Sequence, residues 1–392
     1  MQLCAELQQK LTAAQITTPT PVQAEAIPTA LTGKDVIATA QTGTGKTLAF
    51  LIPAIELLRR SKSRKPEILV LVPTRELAIQ VHEQYELFRG AAEGAAALII
   101  GGVNEEKQIK ALRGGARVVI ATPGRLEDLH GRGLATLREV KMLVLDEADR
   151  MLDMGFLPSI RRIVGQLPEA RQTLCFSATM EASVAGLVYD YMKAPVRVTI
   201  GSTLKPAESV ALQAYEVRPH EKLNALRELL YAHKGQVLVF ARTKRGTERL
   251  AKDLVRDGFA AAMIHGDRSQ SQRLSALHGF EDGRYKVLVA TDVAARGLHM
   301  PDVSHVINYD LPKMAEDFIH RVGRTGRAGA QGLASTLVSG AEVLELIHIE
   351  RTLKLRIERK SFDGASATAP KRVSRNTLPT RTLQALPGEM FV

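Results

Sequence analysis

Tryptophan is absent from the 392 residues, and aromatic side chains make up only 4% of them. If a nucleic acid binds here, stacking platforms are scarce and the phosphate backbone must carry the grip. Cysteine is nearly as rare. Cys4 and Cys175 form no Cys-x-x-Cys pair, which excludes a disulfide framework and a four-thiolate zinc site. A reducing cytoplasm fits that usage. No run of about 18 apolar residues escapes a charge, so no spanning helix and no membrane partner are expected. The segment from Met1 to Glu6 has no basic stretch ahead of an apolar block, so no secretion signal is expected.

What remains is ordinary globular stock, 45% hydrophobic and 24% charged, in a length that suits two or three domains. Lysine and arginine number 53 against 42 aspartates and glutamates, a net charge of +11. Such a surplus favours a polyanion, with nucleic acid ahead of an anionic membrane.

Short apolar runs alternate with amphipathic stretches from end to end. In the first half, strands are expected near Val36–Ala40, Ile68–Val72, Ala97–Ile100, Val118–Ala121, Met142–Leu145 and Thr173–Ser177. Each is a continuous β-branched or leucine-rich run, as strands buried on both faces of a parallel sheet require. A helix is expected over Glu76–Phe88, with Leu77, Val81 and Leu87 near one face. The polar segment around Lys205 and Pro206 reads as a linker, after which the rhythm restarts at Gln236–Phe240, Ala260–Ile264, Val287–Ala290 and His305–Asn308. The expectation is an α/β protein with two doubly wound parallel-sheet domains, 1–203 and 208–360, joined by a linker at 204–207. A basic, mobile tail is expected over 361–392.

The segment Ala40-Gln41-Thr42-Gly43-Thr44-Gly45-Lys46-Thr47 follows a strand and opens a helix. Glycines let backbone amides close around phosphates, and the helix N-terminus adds partial positive charge. Lys46 would reach the β and γ phosphates of ATP, and Thr47 would place its hydroxyl on Mg²⁺. Leu143-Val144-Leu145-Asp146-Glu147 then delivers carboxylates to the sheet edge where ligands gather. Asp146 would hold Mg²⁺ through its water shell, and Glu147 would orient and deprotonate the attacking water.

The run Asp146-Glu147-Ala148-Asp149 spells the signature of the DEAD-box ATP-dependent RNA helicases, and the chain resembles that family motif by motif. Pro19-Thr20-Pro21-Val22-Gln23 is similar to its adenine-sensing Q motif. Pro73-Thr74-Arg75-Glu76-Leu77, Gly101-Gly102 and Thr122-Pro123-Gly124-Arg125 resemble its first-domain RNA loops, and Ser177-Ala178-Thr179 its coupling motif. Val239-Phe240-Ala241-Arg242-Thr243, Gln270 with Arg273, Ala290 through Gly297, and His320-Arg321-Val322-Gly323-Arg324-Thr325-Gly326-Arg327 follow in the family's order.

The resemblance implies two RecA-like domains with ATP and RNA bound across their cleft. It gives Gln23 to the adenine edge, and Arg324 and Arg327 to the γ-phosphate as arginine fingers, whose effect can reach about 10³–10⁵ in rate. His320 would bridge toward the acidic box, and Ser177 and Thr179 would couple the two sites. Thr74, Arg75, Gly102, Thr122, Arg125, Arg242 and Thr291 would contact RNA backbone, so binding would be sequence-tolerant and salt-sensitive.

Three features depart from the family. The aromatic residue that many members carry well before the Q motif has no counterpart here, because the chain begins too late. Ile16 stands where an aromatic commonly meets the base. His299 in Gly297-Leu298-His299 replaces a carboxylate, which implies weaker nucleotide-dependent closure. The implied function is RNA-stimulated ATP hydrolysis that unwinds short duplexes or remodels RNA–protein complexes, in a compact bacterial, RhlE-like type employed on ribosomes or in RNA decay. An ATP-gated RNA clamp and a DNA-directed helicase are the alternatives.

Overall fold

The computed structural model describes residues 3–40, 43–61, 63–180, 182–200, 209–295, 303–326, 330–340 and 342–362. The linker expected at 204–207 and the tail beyond residue 362 lie outside them.

The first sheet holds β1 (Val36–Thr39), β2 (Ile68–Leu71), β3 (Ala96–Ile99), β4 (Val118–Ala121), β5 (Met142–Leu145), β6 (Gln172–Ser177) and β7 (Val196–Thr199). Its order is β3-β4-β2-β5-β6-β1-β7, and every neighbouring pair is parallel. The second sheet holds β8 (Val210–Glu216), β9 (Val237–Phe240), β10 (Ala261–Ile264), β11 (Val287–Ala290), β12 (His305–Asn308), β13 (Gly332–Val338) and β14 (Glu358–Lys360). Its order, β10-β11-β9-β12-β13-β8-β14, is the first sheet's order repeated strand for strand.

The expected α/β, doubly wound parallel architecture is therefore what the chain adopts, twice. The strands with continuous apolar runs are buried at every position, as helices on both faces demand. Four strands escaped the sequence pattern. β7 reads intermediate, exposed, buried, exposed, the mark of an edge. β8 and β14 likewise leave side chains in solvent. β13 lies inside the sheet but carries Ser335 and Thr336, whose hydroxyls meet His305 Nε2 at 2.9 Å and Asn308 Nδ2 at 3.1 Å on β12. Cross-strand partners let such polar residues sit in a core without an orphaned group.

The helix after β2 runs Arg75–Phe88, one residue longer than expected, and its buried face is Ala78, Val81, Tyr85 and Phe88. Leu77 is half-buried and packs against the core that holds Val81, whereas Leu87 is 59% exposed and leaves that side. Among the described residues no helix is long and apolar enough to cross a membrane.

A candidate nucleotide cleft and nucleic-acid edge

Five of the motifs singled out in the sequence leave a strand at its C-terminal end. β1 feeds the phosphate loop, β2 the Thr74 turn, β4 the Thr122 turn, β5 the acidic box and β6 the Ser177 turn. Parallel strands share one direction, so these turns all emerge on a single edge.

Gly43 and Gly45 take φ of 86° and 90°, left-handed backbone that a side chain resists. At Gly45 a Cβ would also collide with the Gln23 carboxamide. Lys46, the first helical residue, is buried, and its Nζ donates to the Ala40 carbonyl at 3.0 Å. The lysine thus curls back beside the loop it follows. Gln23 accepts from Thr20 N–H at 3.0 Å and donates to the Gly45 carbonyl at 3.0 Å. Its carboxamide braces the phosphate loop, tying the Q-motif segment to the phosphate seat. Ile16 packs against the first lobe's core. Gln41 and Thr42 lie outside the described residues.

Asp146 follows β5, is buried, and accepts from Glu147 N–H at 3.0 Å. Burial pushes its carboxyl up to about 7 despite the nearby Lys46 cation. Glu147 sits at φ 51°, a strained turn for a non-glycine residue that starts the short helix Ala148–Asp153. Burial would raise Glu147 too, but Arg150 at 2.8 Å, Lys46 and Arg324 hold it below the usual carboxylate range. Arg324 belongs to the second lobe, so one carboxylate feels cations from both halves of the chain.

Asp149 closes the box and ties it to the next turn. Its Oδ2 accepts from Ala178 N–H and Thr179 N–H at 2.9 Å each and from Thr179 Oγ1 at 3.2 Å. Its own N–H donates to Ser177 Oγ at 3.3 Å. Asp149 and Arg150 carry no role in the sequence reading, although Asp149 is the last letter of the signature that anchored it.

A cleft of about 490 Å³ opens between the lobes, lined by Gly45, Lys46, Asp146 and Glu147 on one side and by Arg324 on the other. Beneath it the lobes touch directly. Glu76 Oε1 accepts from Gln270 Nε2 at 2.9 Å and pairs with Arg273 Nη2 at 3.1 Å, all three side chains being buried. Sequence reasoning quoted Gln270 and Arg273 as a motif but could not see their partner, 194 residues away from Gln270.

In the second lobe the fully buried Arg321 is the hub. It grips Asp292 through Nε and Nη2, at 2.5 and 2.7 Å, and donates from Nη1 to Asn308 Oδ1 and the Asp310 carbonyl. Its guanidinium also lies 5.0 Å from the Phe240 ring centre. The hub holds the helix Ala315–Val322, and with it half-buried His320 and the Arg324 turn, against the sheet edge. Arg327 and His299 lie outside the described residues.

The residues expected to touch RNA gather on the same two edges. The Arg75 guanidinium packs over Gly101 and Gly102, leaving no room for a Cβ on Gly102. Thr74 and Thr122 are buried helix N-caps, and Thr74 Oγ1 accepts from Leu77 N–H. Arg125 is held by Glu105 and Asp128, each at 2.6 Å. Arg242 is 44% exposed on its side chain and reaches Glu342 at 3.3 Å, while Thr291 is buried at the end of β11.

A phosphate loop, a neighbouring acidic box and an arginine supplied by a second RecA-like lobe define a two-lobed nucleotide-dependent motor core. Residues 20–187 match the DEAD/DEAH box helicase family and residues 221–329 the helicase conserved C-terminal domain. The chain is 46% identical to the DEAD-box ATP-dependent RNA helicase CshA of Geobacillus kaustophilus, over 87% of this chain and 73% of that one. It is 43% identical to rice DEAD-box ATP-dependent RNA helicase 40, over 96% of this chain but only 49% of that larger protein. The chain belongs to the DEAD-box family of ATP-dependent RNA helicases. Two bacterial relatives are CshA proteins, which supports the family but not the RhlE-like branch expected above.

Among solved structures, yeast Dbp5 bound to RNA and ADP BeF3 superimposes with a TM-score of 0.81 at 31% identity, covering 92% of this chain and 94% of that one. Mss116 bound to ssRNA and UDP-BeF gives 0.85 at 27% identity, covering 92% and 78%. The Dbp5 form with Nup159, Gle1, IP6 and ADP gives only 0.63 at nearly the same coverage. This chain therefore superimposes more closely on the RNA-bound Dbp5 structure than on that form.

Proposed function

We propose that the chain hydrolyses ATP in the interlobe cleft when RNA lies across the two sheet edges, and that closure of the lobes opens short duplexes locally or remodels RNA–protein complexes. The observation that carries this is electrostatic. Glu147 is held ionised by cations from both lobes, so the charge pattern of the site is complete only when the lobes meet.

In this reading Lys46 and the amides of Gly43 and Gly45 hold the phosphates, and Glu147 orients and deprotonates the attacking water. Arg324 and Arg327 stabilise charge on the transferred group, with His320 bridging toward the acidic box. Ser177 and Thr179, joined through Asp149, transmit between the acidic box and the RNA edge. The donor set fits a hard divalent cation: Asp146 offers buried carboxylate oxygens whose ionisation burial opposes and a bound cation would favour, and Thr47 lines the same cleft. Mg²⁺, when bound, would neutralise phosphate charge there. Thr74, Arg75, Gly102, Thr122, Arg125, Arg242 and Thr291 grip phosphates and 2′-hydroxyls without reading sequence. Cytoplasmic residence and service in ribosomal or RNA-decay complexes belong to the same proposal, supported by the two unpaired cysteines and the bacterial relatives.

Steady-state ATP hydrolysis with Mg²⁺ tests it, comparing no nucleic acid, single-stranded RNA and single-stranded DNA. Stimulation by RNA alone is expected. No hydrolysis under any condition would leave an ATP-gated clamp, and equal stimulation by DNA would overturn the choice of RNA.

A further inference from the structure

The helix Lys244–Arg256 starts directly after Arg242 and Thr243, and Thr243 Oγ1 caps it by accepting from Gly246 N–H at 3.0 Å. Thr247, Leu250, Ala251 and Leu254 are buried against the sheet. On the far side stand Arg245, Arg249, Lys252 and Arg256, all exposed. At about 100° per residue these four fall within roughly 60° of arc, opposite the buried face. From Arg245 to Arg256 the row is about 16 Å long, at 1.5 Å per residue.

Folding does not call for such a row, since like charges three and four residues apart on a helix repel. Among the described residues one carboxylate answers it. Asp253 pairs with Arg256 at 2.7 Å and stands 3.9 Å from Arg249. Among the described residues, Arg245 and Lys252 have no carboxylate partner. The row carries no aromatic side chain, so it can hold phosphates but cannot stack bases. Because its opposite face is committed to the core, it has no apolar side to offer a membrane.

We propose that single-stranded RNA leaving the contacts at Arg242 continues down this helix, with Arg245, Arg249, Lys252 and Arg256 holding successive phosphates. This rests on the RNA reading above and extends the bound strand beyond the motif-lined edges. The stripe favours long strands over short ones and leaves the ATP cleft untouched.

The test compares the full chain with its R245A/R249A/K252A variant, using labelled single-stranded RNA of about 6 and about 20 nucleotides at several salt concentrations. The variant should match the parent on the short RNA and in basal ATP hydrolysis. On the long RNA its affinity should fall about tenfold, and the slope of log affinity against log salt should shrink by about 2, for three phosphates released. Undiminished affinity for the long RNA would overturn the proposal and leave the row to an acidic protein partner. Equal losses on both lengths would overturn it too, since that is the signature of bulk charge. A parent that binds neither RNA would instead sink the RNA reading itself, and this proposal with it.

Discussion

Replacing Asp149 with asparagine probes the joint between the acidic box and the Ser177 turn. The carboxylate accepts four hydrogen bonds, three on Oδ2 and one on Oδ1 from Arg150 N–H at 2.9 Å. An amide of the same shape keeps one acceptor. Turned toward the loop, it makes three neutral bonds where there were three charge-assisted ones, a loss of about 1 kcal/mol each. Its NH₂ then faces Arg150 N–H, leaving a buried donor unpaired at about 1–3 kcal/mol. Partial relaxation brings the sum to about 3–5 kcal/mol, which for a lobe of this size is a drop of about 10 °C in melting temperature. Calorimetry of the full chain reads that shift. Below the new transition, RNA stimulation of ATP hydrolysis should fall while basal hydrolysis changes little, because Asp146 and Glu147 keep their places. A melting temperature within about 2 °C of the parent, with stimulation intact, would refute the assignment of Asp149 as the joint.

Three further outcomes follow from the same structure. Gly45→Ala should weaken ATP binding more than tenfold, because left-handed backbone costs about 1–2 kcal/mol with a Cβ and the Gln23 brace is lost with it; an unchanged Kd in a nucleotide titration would contradict the loop geometry. Arg321→Lys removes the bidentate grip on Asp292 and leaves that hub under-satisfied, so the second lobe should lose about 3 kcal/mol in denaturant unfolding. Stability should also fall in acid through His305, which burial, with His233 beside it, holds down to about 3. An unfolded histidine takes its proton near pH 6.5, so below that the unfolded state binds more protons and stability drops by up to about 1.4 kcal/mol per pH unit toward pH 3. A His305→Gln variant should flatten that dependence in chemical denaturation, and an unaltered slope would count against it.

The legibility of the chain follows the physics of its residues. Strands buried on both faces need unbroken apolar runs, and β2, β4, β5, β9 and β11 announce themselves for that reason. β13 hides because its buried Ser335 and Thr336 are satisfied by His305 and Asn308, partners on another strand that no local pattern reveals. The site divides the same way. Lys46, Asp146 and Glu147 are set by local spacing around a strand end, so the sequence suffices for them. Arg150, Arg321 and the Glu76–Gln270–Arg273 contact depend on what lies opposite in space, and single-chain spacing holds no trace of it. Of the expected Leu77, Val81 and Leu87 face only Leu87 departs, for a related reason: the helix presents it to the interlobe cleft instead of the core.

The two sheets share one strand order, and in each a lysine stands first in the helix that follows its topologically first strand: Lys46 after β1, Lys222 after β8. In the first lobe that ammonium rests on a carbonyl within reach of the phosphate loop. In the second, Glu342 has captured it at 2.7 Å, with Asp310 at 4.0 Å, and no glycine loop precedes it. One copy of a duplicated unit has kept its anion seat open, and the other has filled the seat with its own acids. In the proposed function this leaves the nucleotide seat to the first lobe, with the filled copy as the jaw that closes on it.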